Sequence, residues 1–308
     1  MNYINIANGP QNVSAIVQGC MRMPALNKEE AAKVIRTAYD CGVNFFDHAT
    51  CYGNGEAETR FAEAFPMTGI KREDIFLQSK CGLCFERNEF DWTKENILAS
   101  VDGILQRLKT DYLDTLLLHR PDVLFEPEEV AEAFDILEKS GKVRFFGVSN
   151  LVPMQVELLK KFVKQPLVIN QVQLSIEQSQ LIDQALYMNN KTTEFSVNRD
   201  GNALDYCRLN DITIQAWSPL QKGMFGGTFI DDPEYPKLNA ALSEIGEREG
   251  VSKAAVAIAW ILRHPARMQA IIGTMNPAHI TDICAASDVK LSHHDWYALY
   301  LAAGKYLP

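Results

Sequence analysis

The stretch LDTLLLH, residues 113–119, is almost continuous in apolar residues and ends on a histidine. A second stretch, QAIIGT at residues 269–274, has the same character. Strands that are buried on both faces of a parallel sheet have such sequences, because helices cover both sides of the sheet. We therefore predict that both stretches are strands of a parallel β-sheet.

Eight segments share this pattern, with amphipathic segments between them. They are Val13–Cys20, Asn44–Ala49, Ile75–Lys80, Tyr112–Arg120, Val143–Asn150, Val168–Ser175, Thr213–Leu220 and Met268–Thr274. Eight strand–helix alternations predict an α/β fold, a (β/α)8 TIM barrel formed by residues 1–308 as a single domain. The alternative is a doubly wound open sheet, which is weakened because no glycine-rich dinucleotide fingerprint follows the first strand.

Residues typical of helix starts and ends support the predicted alternation of strands and helices. Asn27 and Ser252 are suitable N-caps for the predicted helices 28–41 and 252–263. Further helices are predicted at 93–108, 128–140 and 153–164, and after Ser292. Residues 176–200 and 221–236 are irregular and follow predicted strands, where barrel enzymes carry functional loops.

Composition narrows the class of protein. A formal net charge of -9 disfavours nucleic-acid binding, and no apolar run is long enough to cross a bilayer. The N-terminus lacks a secretory signal, and the 7 cysteines are scattered, which favours a cytoplasmic protein with reduced thiols. Cys81 and Cys84 form a C-x-x-C, interpreted as two loop thiols because nothing nearby completes a metal or redox site. We expect no metal.

Four residues with reactive side chains lie at the predicted strand ends. Asp47, Lys80 and His119 end the second, third and fourth strands, and Tyr52 lies in the loop after the second. Each has an ordinary alternative role as a cap, a solvated charge or a packing residue. A parallel barrel would bring all four to one mouth, where the active sites of such barrels lie.

The four residue types suit carbonyl reduction. A carbonyl that accepts a hydride needs a proton donor, and a free tyrosine holds its proton with a pKa of about 10. A buried Lys80 would lower the pKa of Tyr52, and Asp47 would keep that lysine charged. A neutral His119 could donate to the carbonyl oxygen.

Several motifs occur in the order seen in one family. They are DHATCYGNGEAE (47–58), QSKCG (78–82), LLLHRPD (116–122), GKVRFFGVSN (141–150), INQVQLS (169–175) and AWSPLQKG (216–223). From about residue 19 to 283, nearly the whole chain, the sequence resembles the aldo-keto reductase family, and most closely a largely uncharacterised bacterial branch of oxidoreductases.

The resemblance implies reduction of an aldehyde or ketone to an alcohol, or the reverse, with a nicotinamide cofactor. It implies that Tyr52 is the general acid, Lys80 its partner, Asp47 the partner of that lysine and His119 the residue that orients the carbonyl. It also implies a set of cofactor-binding residues. These are Gly19, Cys20, Met21, Asp47, Ser149, Asn150, Gln171, Trp217, Ser218, Pro219, Leu220, Gly223, Gly273, Thr274 and His279.

One segment, IIGTMNPAHITDI (271–283), departs from the family pattern. Many NADPH-preferring members carry Lys-Ser here and an arginine about five residues later, whereas this chain has Gly273-Thr274 and His279. Backbone N–H groups and the following helix N-terminus could still hold a phosphate. The resemblance implies NADP as the cofactor, with NAD as the alternative.

Two other functions stay open at this stage. The β subunits of voltage-gated potassium channels share the family fold, so the chain could be a cofactor-binding regulatory subunit. A barrel aldolase could instead use Lys80 as a Schiff base. The expected partner is a small-molecule carbonyl substrate, and the expected assembly is a monomer or a small homo-oligomer.

Overall fold

The structure is a computed structural model that describes residues 1–85, 87–188, 190 and 193–308. The predicted irregular zone 176–200 therefore lies partly outside the described residues, as does one residue of the loop that begins at Gly82.

Eight parallel strands form a closed barrel in which spatial neighbours follow chain order. The strands are β1 Ile16–Gly19, β2 Phe45–Asp47, β3 Phe76–Cys81, β4 Leu113–Leu118, β5 Val143–Ser149, β6 Leu167–Gln173, β7 Thr213–Trp217 and β8 Gln269–Ile272. The last strand pairs with the first, Ala270 opposite Ile16, and closes the barrel. The predicted (β/α)8 architecture is confirmed.

The first predicted strand, Val13–Cys20, is wrong as a single element. Val13–Ser14 pairs antiparallel with Tyr3–Ile4, outside the barrel sheet, and β1 begins only at Ile16. The continuous apolar run conceals this change of partner, because both pieces are buried. The other seven strands are confirmed, with ends that differ by a few residues. For example, β7 stops at Trp217 because Ser218 adopts a left-handed conformation with φ 53°.

Helices follow the strands. They are α1 Lys28–Asp40, α2 Glu56–Ala64, α3 Lys94–Leu108, α4 Pro127–Lys139, α5 Pro153–Lys160, α6 Gln180–Leu186, α7 Ala203–Leu209, α8 Pro236–Glu249, α9 Lys253–Leu262, α10 Pro277–Cys284 and α11 His293–Ala302. The predicted N-caps are confirmed: the Asn27 side chain accepts from the Glu30 N–H, and Ser252 accepts from the Ala255 N–H. None of the helices in the described ranges has the length and apolar character to span a membrane.

Two sets of buried side chains lie inside the barrel. One set is apolar and includes Phe45, Leu117 and Ile169. The other is a layer of glutamines from several strands that bond to one another. Gln215 Oε1 accepts from Gln78 at 2.8 Å and from Gln171 at 3.0 Å, and Gln215 donates to a further strand. Because buried amides must be hydrogen-bonded, this layer holds the strands in one register.

Candidate active site

Lys80 is the centre of the candidate site. Its side chain is completely buried near the end of β3. The ammonium donates to Asp47 Oδ2 at 2.7 Å, to the carbonyl oxygen of His48 at 2.8 Å and to the Tyr52 hydroxyl at 3.2 Å. A lysine has three N–H donors, so every donor is used and the head group has one orientation.

Asp47, at the end of β2, is held from two sides. Besides Lys80, its carboxylate accepts from Gln78 at 2.6 Å and from Gln171 at 3.1 Å, both on Oδ1. A buried ion pair is stable only when further hydrogen bonds offset the desolvation of its two charges. Gln78 and Gln171 of the glutamine layer supply these bonds and so stabilise the ion pair.

The protonation states of Lys80 and Tyr52 follow from their burial and from their contacts with each other and with Asp47. Burial alone would lower the pKa of Lys80, but Asp47 and then Tyr52 act more strongly in the opposite direction. The pKa of Lys80 is therefore raised above its usual value, and the ammonium stays charged. Burial raises the pKa of Tyr52 to about 12, although Lys80 acts in the opposite direction. The expectation that Lys80 would bring the pKa of Tyr52 below its usual value is therefore wrong for the free protein, because desolvation of the phenolate outweighs the lysine.

His119 follows the end of β4 and faces Tyr52, with ring centroids 6.0 Å apart and edge to face. Burial, then Lys80 and Arg120, lower the pKa of His119 well below its usual value, so the imidazole is neutral. Its Nδ1 lies 3.5 Å from the Cys51 sulfur. Burial raises the pKa of that thiol to about 11, which keeps it protonated beside the imidazole.

A cavity of about 1250 Å³ opens above these groups at the carboxyl ends of the strands. It exceeds the roughly 300–1,000 Å³ of sites for drug-sized ligands. Most residues predicted for catalysis or cofactor binding line it. They are Gly19, Met21, Asp47, Tyr52, His119, Ser149, Asn150, Gln171, Trp217, Ser218, Pro219, Leu220, Gly273, Thr274 and His279.

Three predicted residues are not on the cavity wall as described. Lys80 is buried behind the wall, where it contacts the lining residues Asp47 and Tyr52. Cys20 is fully buried, with its thiol 3.7 Å from the carbonyl oxygen of Gln18. Gly223 lies in the loop after β7, beside the lining residue Met224. Cys81 and Cys84 are free thiols, and Cys81 belongs to β3 rather than to a loop.

Trp217 is held by a chain of polar contacts. Its indole N–H donates to Asn150 Oδ1 at 3.0 Å, and the Asn150 amide donates to Ser149 Oγ at 2.8 Å. Ser149 in turn donates to the Gln171 carbonyl oxygen at 2.8 Å. These bonds link the ends of β5, β6 and β7, so the aromatic ring on the cavity wall has a defined position.

Other lining residues have no catalytic or cofactor-binding role predicted from the sequence. They include Arg22, Cys51, Phe85, Arg120, Met224, Phe225 and Lys253. Two had a sequence signal, since Cys51 precedes Tyr52 and Arg120 follows His119. Arg22 donates to the Gly273 carbonyl oxygen at 3.0 Å, at the end of the neighbouring strand β8.

Comparison with known proteins gives consistent matches. The model of the aldo/keto reductase family matches residues 15–300. The uncharacterised oxidoreductase YcsN of Bacillus subtilis is 34% identical, over 99% of this chain and 99% of that protein. A 6-dehydroglucose reductase of Agrobacterium fabrum is 34% identical, over 86% of this chain and 84% of that protein. A solved structure of the thermostable aldo-keto reductase Tm1743 with the inhibitor epalrestat has a TM-score of 0.78 and 26% identity, covering 98% of this chain and 100% of that one.

Proposed function

This chain belongs to the aldo/keto reductase family, and we propose that it reduces an aldehyde or ketone to an alcohol, or catalyses the reverse, with Tyr52 as general acid. The observation that carries the proposal is the hydrogen-bonded series from Asp47 through Lys80 to the Tyr52 hydroxyl, with a neutral His119 beside it. Each group is held in the protonation state that the reaction needs.

The residues of the cavity fit a nicotinamide cofactor. Trp217 presents an aromatic ring, and a flat π-face is what a nicotinamide ring needs for stacking. The Gln171 amide N–H groups donate to Asp47 and Gln215, whereas its Oε1 accepts from no donor in the described ranges. That oxygen, with Ser149 and Asn150, would hold the carboxamide. When bound, the cofactor supplies the hydride.

The phosphate groups of the cofactor would lie against Gly273, Thr274 and the N-terminus of α10, which all line or border the cavity. We propose NADPH as the donor because the resemblance favours NADP. NADH is the alternative, because the charged Lys-Ser pattern of many NADPH-preferring members is absent here. The proposed setting is the cytoplasm, and the proposed assembly is a monomer or a small homo-oligomer acting on a small-molecule carbonyl.

Residues of this chain supply the proton that the substrate oxygen takes up. Tyr52 carries the proton that the substrate oxygen takes up, and the charged Lys80 stabilises the phenolate that remains. The protonated Cys51 thiol lies 3.5 Å from His119 Nδ1, and we infer that it donates to this nitrogen, so that the imidazole proton lies on Nε2. That N–H can then donate to the carbonyl oxygen and orient it.

A Schiff-base aldolase is disfavoured. Such an enzyme needs a lysine that loses its proton readily, as desolvation without a counter-ion would produce. Here Asp47 and Tyr52 raise the pKa of Lys80, and all three of its N–H groups are engaged.

The test is the oxidation of NADPH, and separately of NADH, with a simple aromatic aldehyde, comparing the wild type with Tyr52→Phe. We expect the variant to bind cofactor normally, by quenching of tryptophan fluorescence, and to lose turnover by roughly 10²–10⁴-fold. Full activity in the variant would contradict the role of Tyr52. Cofactor binding without turnover of any carbonyl by the wild type would favour the regulatory alternative.

A further inference from the structure

Arg120 is a charged residue of the cavity that the proposed reaction does not use. It follows His119 directly, is half-buried and lines the same cavity as Tyr52. A guanidinium has five N–H donors. In the described part of the chain its recorded contacts are the Met224 sulfur at 3.7 Å and the face of the Trp217 ring at 5.6 Å. A thioether is a weak acceptor, so the guanidinium has no strong acceptor among the described residues.

The nearby carboxylates are already engaged. Asp122, two residues along the chain, accepts from the backbone N–H groups of Trp92 at 3.0 Å and Leu124 at 2.9 Å. Asp47 is neutralised by Lys80 at 2.7 Å. Among the described residues, the Arg120 guanidinium therefore has no carboxylate partner beside the catalytic groups. Burial lowers its pKa, and the groups that act in the opposite direction are Tyr52 and Cys51, which are both protonated.

The surroundings of this charge are apolar. Leu83, Phe85, Met224 and Phe225 line the cavity, and Met224 touches the guanidinium itself. Phe85 and Phe225 are 59% and 75% exposed at the rim. Such surfaces suit a flat apolar skeleton, whereas the guanidinium suits a planar anion that accepts two parallel hydrogen bonds.

We propose that Arg120 binds a carboxylate on the substrate, and that this chain acts on aromatic or otherwise apolar aldehydes and ketones that carry a carboxylate group. This inference rests on the proposed carbonyl reduction and names its substrate class. Arg120 holds the carboxylate while His119 and Tyr52 face the carbonyl oxygen of the same molecule. No bond to Arg120 forms or breaks, since it acts by charge and hydrogen bonding.

The test compares two aldehydes of the same skeleton, 4-carboxybenzaldehyde and its neutral methyl ester, at saturating cofactor. For the wild type we expect kcat/KM to favour the carboxylate. In Arg120→Gln this preference should fall by about tenfold or more, with the ester little affected, because a charge-assisted hydrogen bond is lost. Arg22→Gln removes a positive charge from the same cavity and is the matched control. It should keep the preference.

Binding of the alcohol product, 4-(hydroxymethyl)benzoate, to the enzyme with NADP⁺ gives a readout that needs no turnover. Trp217, beneath Arg120, should report it by fluorescence, and the affinity should fall in Arg120→Gln. Equal preference in wild type and Arg120→Gln, or an equal loss in Arg22→Gln, would overturn the inference and leave carbonyl reduction intact. If neither aldehyde is reduced, the proposed function fails, and Arg120-dependent binding of the product would still support the anion site.

Discussion

The inner wall of the cavity, formed by Asp47, Tyr52 and His119 and backed by the buried Lys80, differs in construction from the outer wall, formed by Gly273, Thr274 and His279. The inner residues lie at or near strand ends, and Lys80 and Asp47 are buried with hydrogen bonds on every side. The outer residues follow β8 or lie on α10, and His279 is exposed. Sheet register and burial thus hold the proposed reacting groups, whereas the proposed cofactor selectivity would depend on groups that can be exchanged at little cost to the fold.

Breaking the inner wall should have the largest effect. Lys80→Met would leave the Asp47 carboxylate buried without its counter-ion, which typically costs about 3–5 kcal/mol in the free energy of unfolding. Turnover should also fall by roughly 10³-fold or more, since the phenolate loses its stabilising charge. Urea unfolding and steady-state kinetics measure the two effects.

The matched control is the double variant Lys80→Met with Asp47→Asn, which removes both charges. It should regain much of the lost stability and none of the activity. A single Lys80→Met variant as stable as the wild type would show that the ion pair does not anchor the inner wall.

The pH dependence distinguishes the two reaction directions. Reduction needs protonated Tyr52 and neutral His119, and with a Tyr52 pKa of about 12 and a lowered His119 pKa both hold across about pH 6–9. The reduction rate should therefore be flat there. Alcohol oxidation needs the phenolate, so its kcat/KM should rise by up to about tenfold per pH unit. A reduction profile that bends at pH 6–7 would show that His119 titrates in this range.

A smaller effect is expected at the contact between Cys51 and His119. Cys51→Ala removes the donor to Nδ1 and should lower kcat by about tenfold, because the imidazole tautomer is no longer set. Cys51→Ser keeps an O–H donor and should retain most of the activity. Nitrogen-15 chemical shifts of His119 report the tautomer directly. Unchanged shifts in Cys51→Ala would contradict the role of the thiol.

The smallest effect is expected on the outer wall. His279 is exposed, and an imidazole is a weaker phosphate ligand than a guanidinium, so His279→Ala should change the Kd for NADPH by less than about threefold. His279→Arg adds a fixed charge and should strengthen NADPH binding relative to NADH. Fluorescence titration of both cofactors measures this. A large loss in His279→Ala would show that the outer wall is as specialised as the inner one.

Much of the inner wall could be predicted from the sequence. Apolar runs such as that of β4 identify buried parallel strands, and Asp47, Lys80 and His119 occur near the ends of three of them. In a closed parallel barrel the carboxyl ends of all strands lie at the same mouth, so residues at those ends are expected to lie close together. The split of the first predicted strand was missed, because burial gives the same apolar pattern to both of its pieces.

By itself the sequence determined the barrel and the family and indicated the proposed reacting side chains, since hydrophobic periodicity and motif order are local properties of the chain. Only the tertiary structure decided their electrostatics and their neighbours. The pKa of Tyr52 rises because burial outweighs Lys80, and the Cys51 thiol lies beside His119 Nδ1, 68 positions away in the chain. Only the tertiary structure likewise shows that the Arg120 guanidinium has no carboxylate partner among the described residues. Desolvation and contacts between distant strands are properties of packing, which exist only once the barrel has closed.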